Sequence, residues 1–449
     1  MEQRTAQSMG VFIVVWLGQL LSLLGSGLTS FVLGIWVYQQ TGSITQFALI
    51  SMFAHLPSIL LFPLAGVLVD RWNRRWVMLV CDTGSGLTML VIAYLVVNEH
   101  LAVWHIYGAV AINSIFNSCH WPAYTAAATL LLPKKYLSRG TGMMQLGDAS
   151  RLVAPLLGGV LLDTIQLRGV ILVDFITFAI AFVTLVLVRF PQVKAVPPST
   201  KRAVLQEAVY GWTYIRERVG LLALVLFMAS ANFLLGVVEI LATPMALSFT
   251  SPATLGTIFS IGSIGILAGS LLVSHWSIRI KLVYGVLASQ VFTGLSVLMV
   301  GFHPTVITLT IAIFVSSCSL ATTNGCSQLI LRKKVAIKVQ GRVFAFSRTL
   351  SDVTIPLAFG VAGFLADQIF EPLMANNGLL APTLGKVIGV GTGQGIRLLI
   401  MIVGCLTVFI SIYAWQYPRL TSVEKELPDT IDLKDSEDSE EHTDKKILQ

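Results

Sequence analysis

The chain reads as long apolar runs broken by short polar connections. Runs long enough to cross a bilayer, about 20 residues, fall at 11–38, 44–69, 76–97, 104–132, 141–163 and 169–190. After a polar stretch they resume at 221–249, 253–276, 282–302, 304–331, 343–368 and 395–416. Twelve spans are therefore predicted. They are predicted to be helical because lipid offers the backbone no hydrogen-bond partner outside a helix or a closed barrel. The ten-residue alternating segments of a barrel do not occur in the sequence. The first run follows Arg4, but it exceeds the apolar stretch of a signal peptide, about 7–15 residues, and is read as a span.

Composition agrees. Charged residues make up 12% of the 449, against about 25% in soluble domains. The net charge of +7 does not point to nucleic acid, because the basic residues sit in short connections rather than along one face. Of the 30 lysines and arginines, Arg168, Lys386 and Arg397 fall at connections on one side, Arg151 and Arg348 fall within spans, and the remaining 25 lie on the side of both termini. The positive-inside rule makes that side cytoplasmic. Cys81, Cys119, Cys318, Cys326 and Cys405 all lie in apolar runs without a C-x-x-C pair, so neither a metal site nor a disulfide framework is expected.

Four regions follow: a six-helix bundle at 1–190, a cytoplasmic linker at 191–220, a second six-helix bundle at 221–416 and a disordered tail at 417–449. In the linker, Val204, Ala208, Trp212 and Ile215 recur at helical spacing opposite Lys201, Glu207 and Arg218. That pattern fits a helix lying on the membrane surface, or a solvated linker helix. The halves repeat. "AGVLVDRW" at 65 is echoed by "AGSLLVSHW" at 268, "GGVLLD" ending at Asp163 by "VAGFLAD" ending at Asp367, and Asp148 by Asp352, all at an offset of 203 or 204. Parallel six-span repeats are the build of a rocking transporter with its substrate site near the midplane.

"GVLVDRWNRR" (66–75) places one acid and three arginines at the end of span two. Gly66 permits close helix contact. Asp70 suits the positive end of a neighbouring helix, such as the one starting near Arg342. Arg71, Arg74 and Arg75 suit acids at helix ends or anionic lipid headgroups. Gly66, Leu68, Asp70, Arg71, Arg74 and Arg75 resemble the loop signature G-x-L-x-D-R-x-G-R-R of the major facilitator superfamily. Asn73 stands where that signature has glycine, as the next most tolerant residue of left-handed backbone. "APLLGG" (154–159), with Pro155, Gly158 and Gly159, resembles the family's antiporter motif G-P-x-x-G-G, with Ala154 in place of glycine. "WVYQQTGS" (36–43) and "QGRVFAFSRTLSDVTIPLAFGVAGFLAD" (340–367) resemble the branch holding macrolide-efflux proteins and the enterobactin exporter.

The resemblance implies an all-α integral membrane fold of 12 helices in two pseudo-symmetric six-helix bundles. It further implies a monomer in the bacterial inner membrane, exporting an amphipathic small molecule (drug, macrolide, siderophore or peptide natural product) in exchange for protons. Uptake, or flipping of a lipid or lysophospholipid, is the alternative on the same fold. An enzyme is disfavoured, since no nucleophile–base or metal constellation is seen, and no cofactor is expected. Acids within spans are expensive in lipid and mark function. Glu239, Asp148 and Asp352 are the proton-coupling candidates, with Arg151 and Arg348 one helical turn from the last two as charge partners. Asp82 and Asp174 lie near span ends and are expected to reach water, while His55, His105 and His120 are read as polar cavity or packing residues. Spans one, four, seven and ten line the centre in this superfamily, which nominates Gln19, Trp36, Asn113, Asn117, Trp121, Asn232 and Asn324 as the substrate cavity. The glycine-rich "GVGTGQG" (389–395) lacks the spacing of a phosphate-binding loop.

Overall fold

In the computed structural model, residues 2–132, 136, 139–140, 143–144, 150–188, 210–276, 281–336 and 339–426 are described. Secondary structure among them is helical throughout. The first half comprises α1 (Glu2–Thr41), α2 (Ile44–Arg71), α3 (Arg74–Val97), α4 (Val103–Leu131) and α5 (Ser150–Leu187). The second comprises α6 (Val219–Leu247), α7 (Pro252–Trp276), α8 (Leu282–Phe302) and α9 (Val306–Lys334). There follow α10 (Gln340–Asp352), α11 (Thr354–Leu365), a π-helical turn Ala366–Phe370, and the short α12 (Glu371–Met374) and α13 (Gly385–Ile388). The chain then continues through α14 (Gln394–Gln416), α15 (Pro418–Thr421) and α16 (Val423–Glu426).

Among the described residues, ten helices are long and apolar enough to cross a membrane. One of them, α5, is two spans joined at Gln166, whose φ of 55° and ψ of −178° break the helix where the sequence places the 163–169 connection. The 29-residue α4 falls short only in apolarity, because Asn113, Ser114, Asn117, Ser118 and His120 interrupt it. The described helices thereby match the twelve predicted runs, with residues 141–142 and 145–149 of the fifth lying outside the described residues.

The helices form two compact units. The first joins Met1–Ser199 to Glu239–Ile261 and Pro356–Arg397; the second joins Thr200–Val238, Gly262–Ile355 and Leu398–Gln449. In the first unit, one apolar core gathers Phe12, Met78, Tyr124 and Leu185, and a separate one gathers Val32, Ile92, Ile106 and Val170. In the second, Leu221, Val283, Ile330 and Val343 form the core. Ile215 is fully buried in that core, and the Trp212 ring lies 5.7 Å from that of Phe346. The 210–216 end of the linker helix thus packs on protein, whereas Val204 and Ala208 lie outside the described residues.

Lipid is as apolar as leucine, so helix pairing rests on close packing, which small residues permit. Gly262, Gly265 and Gly269 line α7 where it crosses α9, and a methyl group on any of them would strike Ile313, Phe314 or Cys318.

The Gln166 backbone lies in a region that only glycine enters without strain, at a cost of about 1–3 kcal/mol. Gln166→Gly is expected to stabilise the protein by about 1 kcal/mol net, after the extra entropy glycine gives the unfolded chain. The measurement is the thermal unfolding midpoint in detergent, which rises; an unchanged or lower midpoint contradicts stored strain at this turn.

Candidate functional site

The arginine-rich loop is built from two helix ends. At the close of α2, the Trp72 N–H reaches the Leu68 carbonyl at 3.1 Å, and Leu68 is half-buried. The side chains of Gly66, Asp70 and Arg71 lie outside the described residues. Asn73 does not adopt left-handed backbone as expected. At φ −64° and ψ 116° it is extended and is the N-cap of α3, its side-chain oxygen accepting the Arg75 N–H at 3.0 Å. Asparagine serves here because its oxygen satisfies a helix N–H that glycine would leave open. The Arg75 guanidinium donates to the last carbonyls of α5, Nε to Leu185 at 3.1 Å and Nη2 to Val186 at 2.5 Å. A cation at a helix C-terminus is favoured by both the free carbonyls and the macrodipole. Arg74 is half-buried beside it.

The span-five motif forms a double crossing. Ala154 and Gly158 face α1: a methyl on Gly27 would meet the Ala154 methyl at 2.8 Å, and one on Gly158 would meet Phe31 at 3.0 Å. Pro155 and Gly159 face α7, where Gly159 lies against the backbone of Pro252 and Ala253, and Gly256 against the Pro155 carbonyl. The contact is reciprocal and backbone to backbone, so a larger residue at 159 or 256 must part the helices.

Of the acids within spans, Glu239 is exposed on α6. Its ionisable neighbour is His55 of α2. The Nδ1 of His55 is 2.8 Å from the Ser51 carbonyl, which can only accept, so Nδ1 carries the hydrogen. The ring stands edge-on to Phe359 at 5.8 Å. Arg348 and Asp352 pair as expected, Nε to Oδ2 at 3.2 Å. Asp148 and the Arg151 side chain lie outside the described residues.

Of two acids expected to reach water, Asp174 is buried and Asp82 is largely covered. Asp174 is 3% exposed, with Ser26 Oγ at 3.4 Å from its Oδ1 and Gly25 of α1 packed over it. Asp82 pairs across helices with His120, Oδ1 to Nε2 at 3.0 Å, and the His120 ring stacks on Tyr124 at 6.4 Å. Asp82 Oδ2 is buried without a hydrogen-bond partner among the described residues. No local spacing links residues 82 and 120, and only their placement among apolar neighbours marked them.

The cavity candidates divide. Trp36 packs into the Val32–Ile106 core and Trp121 into the Phe12–Met78 core, 6.0 Å from Tyr124, so the two indoles do not share one aromatic site. Gln19 is buried, Asn113 half-buried and Asn117 exposed. In the second unit, Asn232 donates to the Ser351 carbonyl at 3.2 Å, and Asn324 is half-buried on α9. Among the described residues, no cluster of three His, Cys, Asp or Glu residues could hold a metal ion.

Known proteins share this architecture. The chain is 26% identical over 377 residues to macrolide efflux protein A of Streptococcus pyogenes, spanning 80% of this chain and 90% of that protein. It is 25% identical over 323 residues to macrolide efflux protein A of Enterococcus faecalis, spanning 68% and 97%. A solved bacterial homologue of the human lysosomal transporter Spinster shares the fold with a TM-score of 0.69 at 14% identity, over 94% of this chain and 98% of that one. The family model described as Major Facilitator Superfamily matches residues 15–358. Twelve spans, the loop signature and that match together place the chain in the major facilitator superfamily.

Proposed function

We propose that the protein is a secondary active exporter of amphipathic small molecules, driven by protons moving the opposite way across the bacterial inner membrane, with both termini cytoplasmic. One observation carries the reading: Glu239, an acid far inside a span, has the imidazole of His55 on another helix as its ionisable neighbour. An isolated carboxylate in such surroundings is costly when ionised. Protonation removes that cost, and His55 Nε2 supplies a second group able to take the proton. Loading from outside neutralises Glu239, and release to the cytoplasm restores the charge. If substrate prefers the ionised site, proton and substrate weaken each other's binding reciprocally, which is the thermodynamic content of antiport.

The candidate amides and the relatives support one cargo class. Amides at Asn113, Asn117 and Asn324 suit a large neutral or cationic amphipath better than a phosphate or carboxylate, which would call for inward arginines. The relatives named for macrolide efflux support macrolides as the first class to test. Release requires alternating access, and Asp70 at the end of α2 is assigned to the latch that closes the cytoplasmic rim.

In everted vesicles, a labelled macrolide is expected to accumulate under an imposed pH gradient and to leak out when a protonophore collapses it. Glu239→Gln is expected to cut that accumulation about tenfold or more while sparing substrate exchange, and His55→Gln to shift the pH profile. Gradient-driven accumulation by Glu239→Gln with unchanged pH dependence would place coupling elsewhere. Substrate loss rather than gain in these vesicles would indicate uptake.

Asp70→Asn, assayed at matched surface expression, is expected to slow transport by several-fold to about tenfold, the scale of one charge–dipole interaction at a helix end. A wild-type rate removes the latch from the mechanism.

A further inference from the structure

A second acid, at the opposite end of α2, makes a contact that nothing above uses. Asp367 lies in the π-helical turn that follows α11, and it reaches the first turn of α2 more than 300 residues away in sequence. Its Oδ1 accepts the Ile44 N–H at 3.2 Å; its Oδ2 accepts the Thr45 N–H at 2.8 Å and the Ser43 hydroxyl at 2.7 Å. The same Ser43 hydroxyl oxygen accepts the Gln46 N–H at 3.2 Å. A helix leaves its first N–H groups unpaired, and here a carboxylate from another segment and the N-cap serine share them.

The packing around this contact is close. A methyl on Gly363 would stand 2.8 Å from the Ala48 methyl and the Thr45 Cα, and one on Gly360 would stand 3.2 Å from Met52 Sδ. One turn after Asp367, Glu371 accepts the N–H groups of Gly393 at 3.1 Å and Ile396 at 3.2 Å, anchoring the same segment to the start of α14. The segment is thus tied to its own half by Glu371 and to the first half by Asp367. The fold repeat does not dictate the second tie. Asp163, the repeat mate of Asp367, is exposed, and α7 is capped by its own Ser251, which accepts the Thr254 N–H at 3.3 Å.

We propose that Asp367 is a gate residue for transport: its carboxylate, seated on the N-terminus of α2, latches this face shut and must leave that seat when the face opens. The inference rests on alternating access but not on the choice of cargo or coupling ion. α2 and α11 run antiparallel here, Gly363 beside Thr45 and Ala48 and Gly360 beside Met52, so Asp367 follows the end of α11 that meets the start of α2.

The test uses full-length protein in membranes with its five native cysteines replaced and a single reporter, Met52→Cys, beneath the latch. A membrane-impermeant maleimide is applied from the side that labels Asn376→Cys, an exposed position in the same loop region. Asp367→Asn replaces an acceptor with a donor aimed at N–H groups. It is expected to raise the labelling rate of the reporter by about fivefold or more, by shifting the population toward the open face. Ser43→Ala, which removes one of the three contacts, should give a smaller increase, and Asp367→Glu, which keeps the charge, should stay near the parent. Equal rates in all four proteins would overturn the latch. Labelling reads the gate directly, so the role of Asp367 is tested even in a protein that proves not to export macrolides.

Discussion

Hydrocarbon neither donates nor accepts a hydrogen bond, so each helix end and each polar side chain near the membrane must find its partner in protein. This chain meets that demand with side chains brought in from distant segments. Arg75 reaches the last carbonyls of α5, Asp367 the first N–H groups of α2, and Glu371 those at the start of α14. In the second unit, Glu424 accepts the N–H groups of Leu282 and Val283 at the start of α8, and the Lys334 ammonium donates to the Glu424 carbonyl at 2.6 Å. Each bond joins whole helices rather than neighbouring turns. Making or breaking one therefore bears on the placement of a rod some 20–30 residues long, which is the scale of motion that alternating access needs.

Close packing is the complementary constraint. Because lipid does not drive apolar helices together, their affinity depends on how near the backbones approach. The reciprocal contact of Gly159 with Pro252 and of Gly256 with Pro155 shows what the span-five motif accomplishes physically. A side chain at 256 would strike the Pro155 carbonyl, and glycine is the residue able to lie against it. The motif's glycines are explained by that crossing alone, so their presence is no independent sign of antiport.

The spans were legible because an apolar run of about 20 residues admits few readings. Their count survived even where a helix departed from type, as at Gln166, where a strained backbone hides one connection inside a continuous helix, and in α4, which amides make polar. Facing was not legible. A helix that is apolar all round carries little periodicity to say which side meets protein, so the pairing of Asp82 with His120 and the separation of Trp36 from Trp121 appear only in three dimensions. Asn73 shows a subtler limit. A glycine-to-asparagine departure read as tolerance of unusual backbone is instead an N-cap, because the same residue type solves two different problems. The repeat likewise predicted that Asp163 and Asp367 correspond, but only Asp367 found a helix end to hold.

The acids within the spans can be ranked for coupling on physical grounds. A coupling group must exchange its proton with water, and its charge must not be cancelled permanently. Asp174 fails the first condition: it is 3% exposed, with Ser26 beside it and Gly25 packed over it. Asp352 fails the second, since Arg348, itself well exposed, compensates it from one turn away. Asp82 has its imidazole at 3.0 Å and a second oxygen without a hydrogen-bond partner among the described residues. Both side chains are largely covered, so the pair holds α3 to α4 more readily than it trades protons with solvent. Glu239, exposed on α6 with the His55 imidazole as its ionisable neighbour, has neither the cover of Asp174 nor, among the described residues, an arginine partner like that of Asp352. A histidine neighbour does not fix the charge of a carboxylate as a neighbouring arginine does.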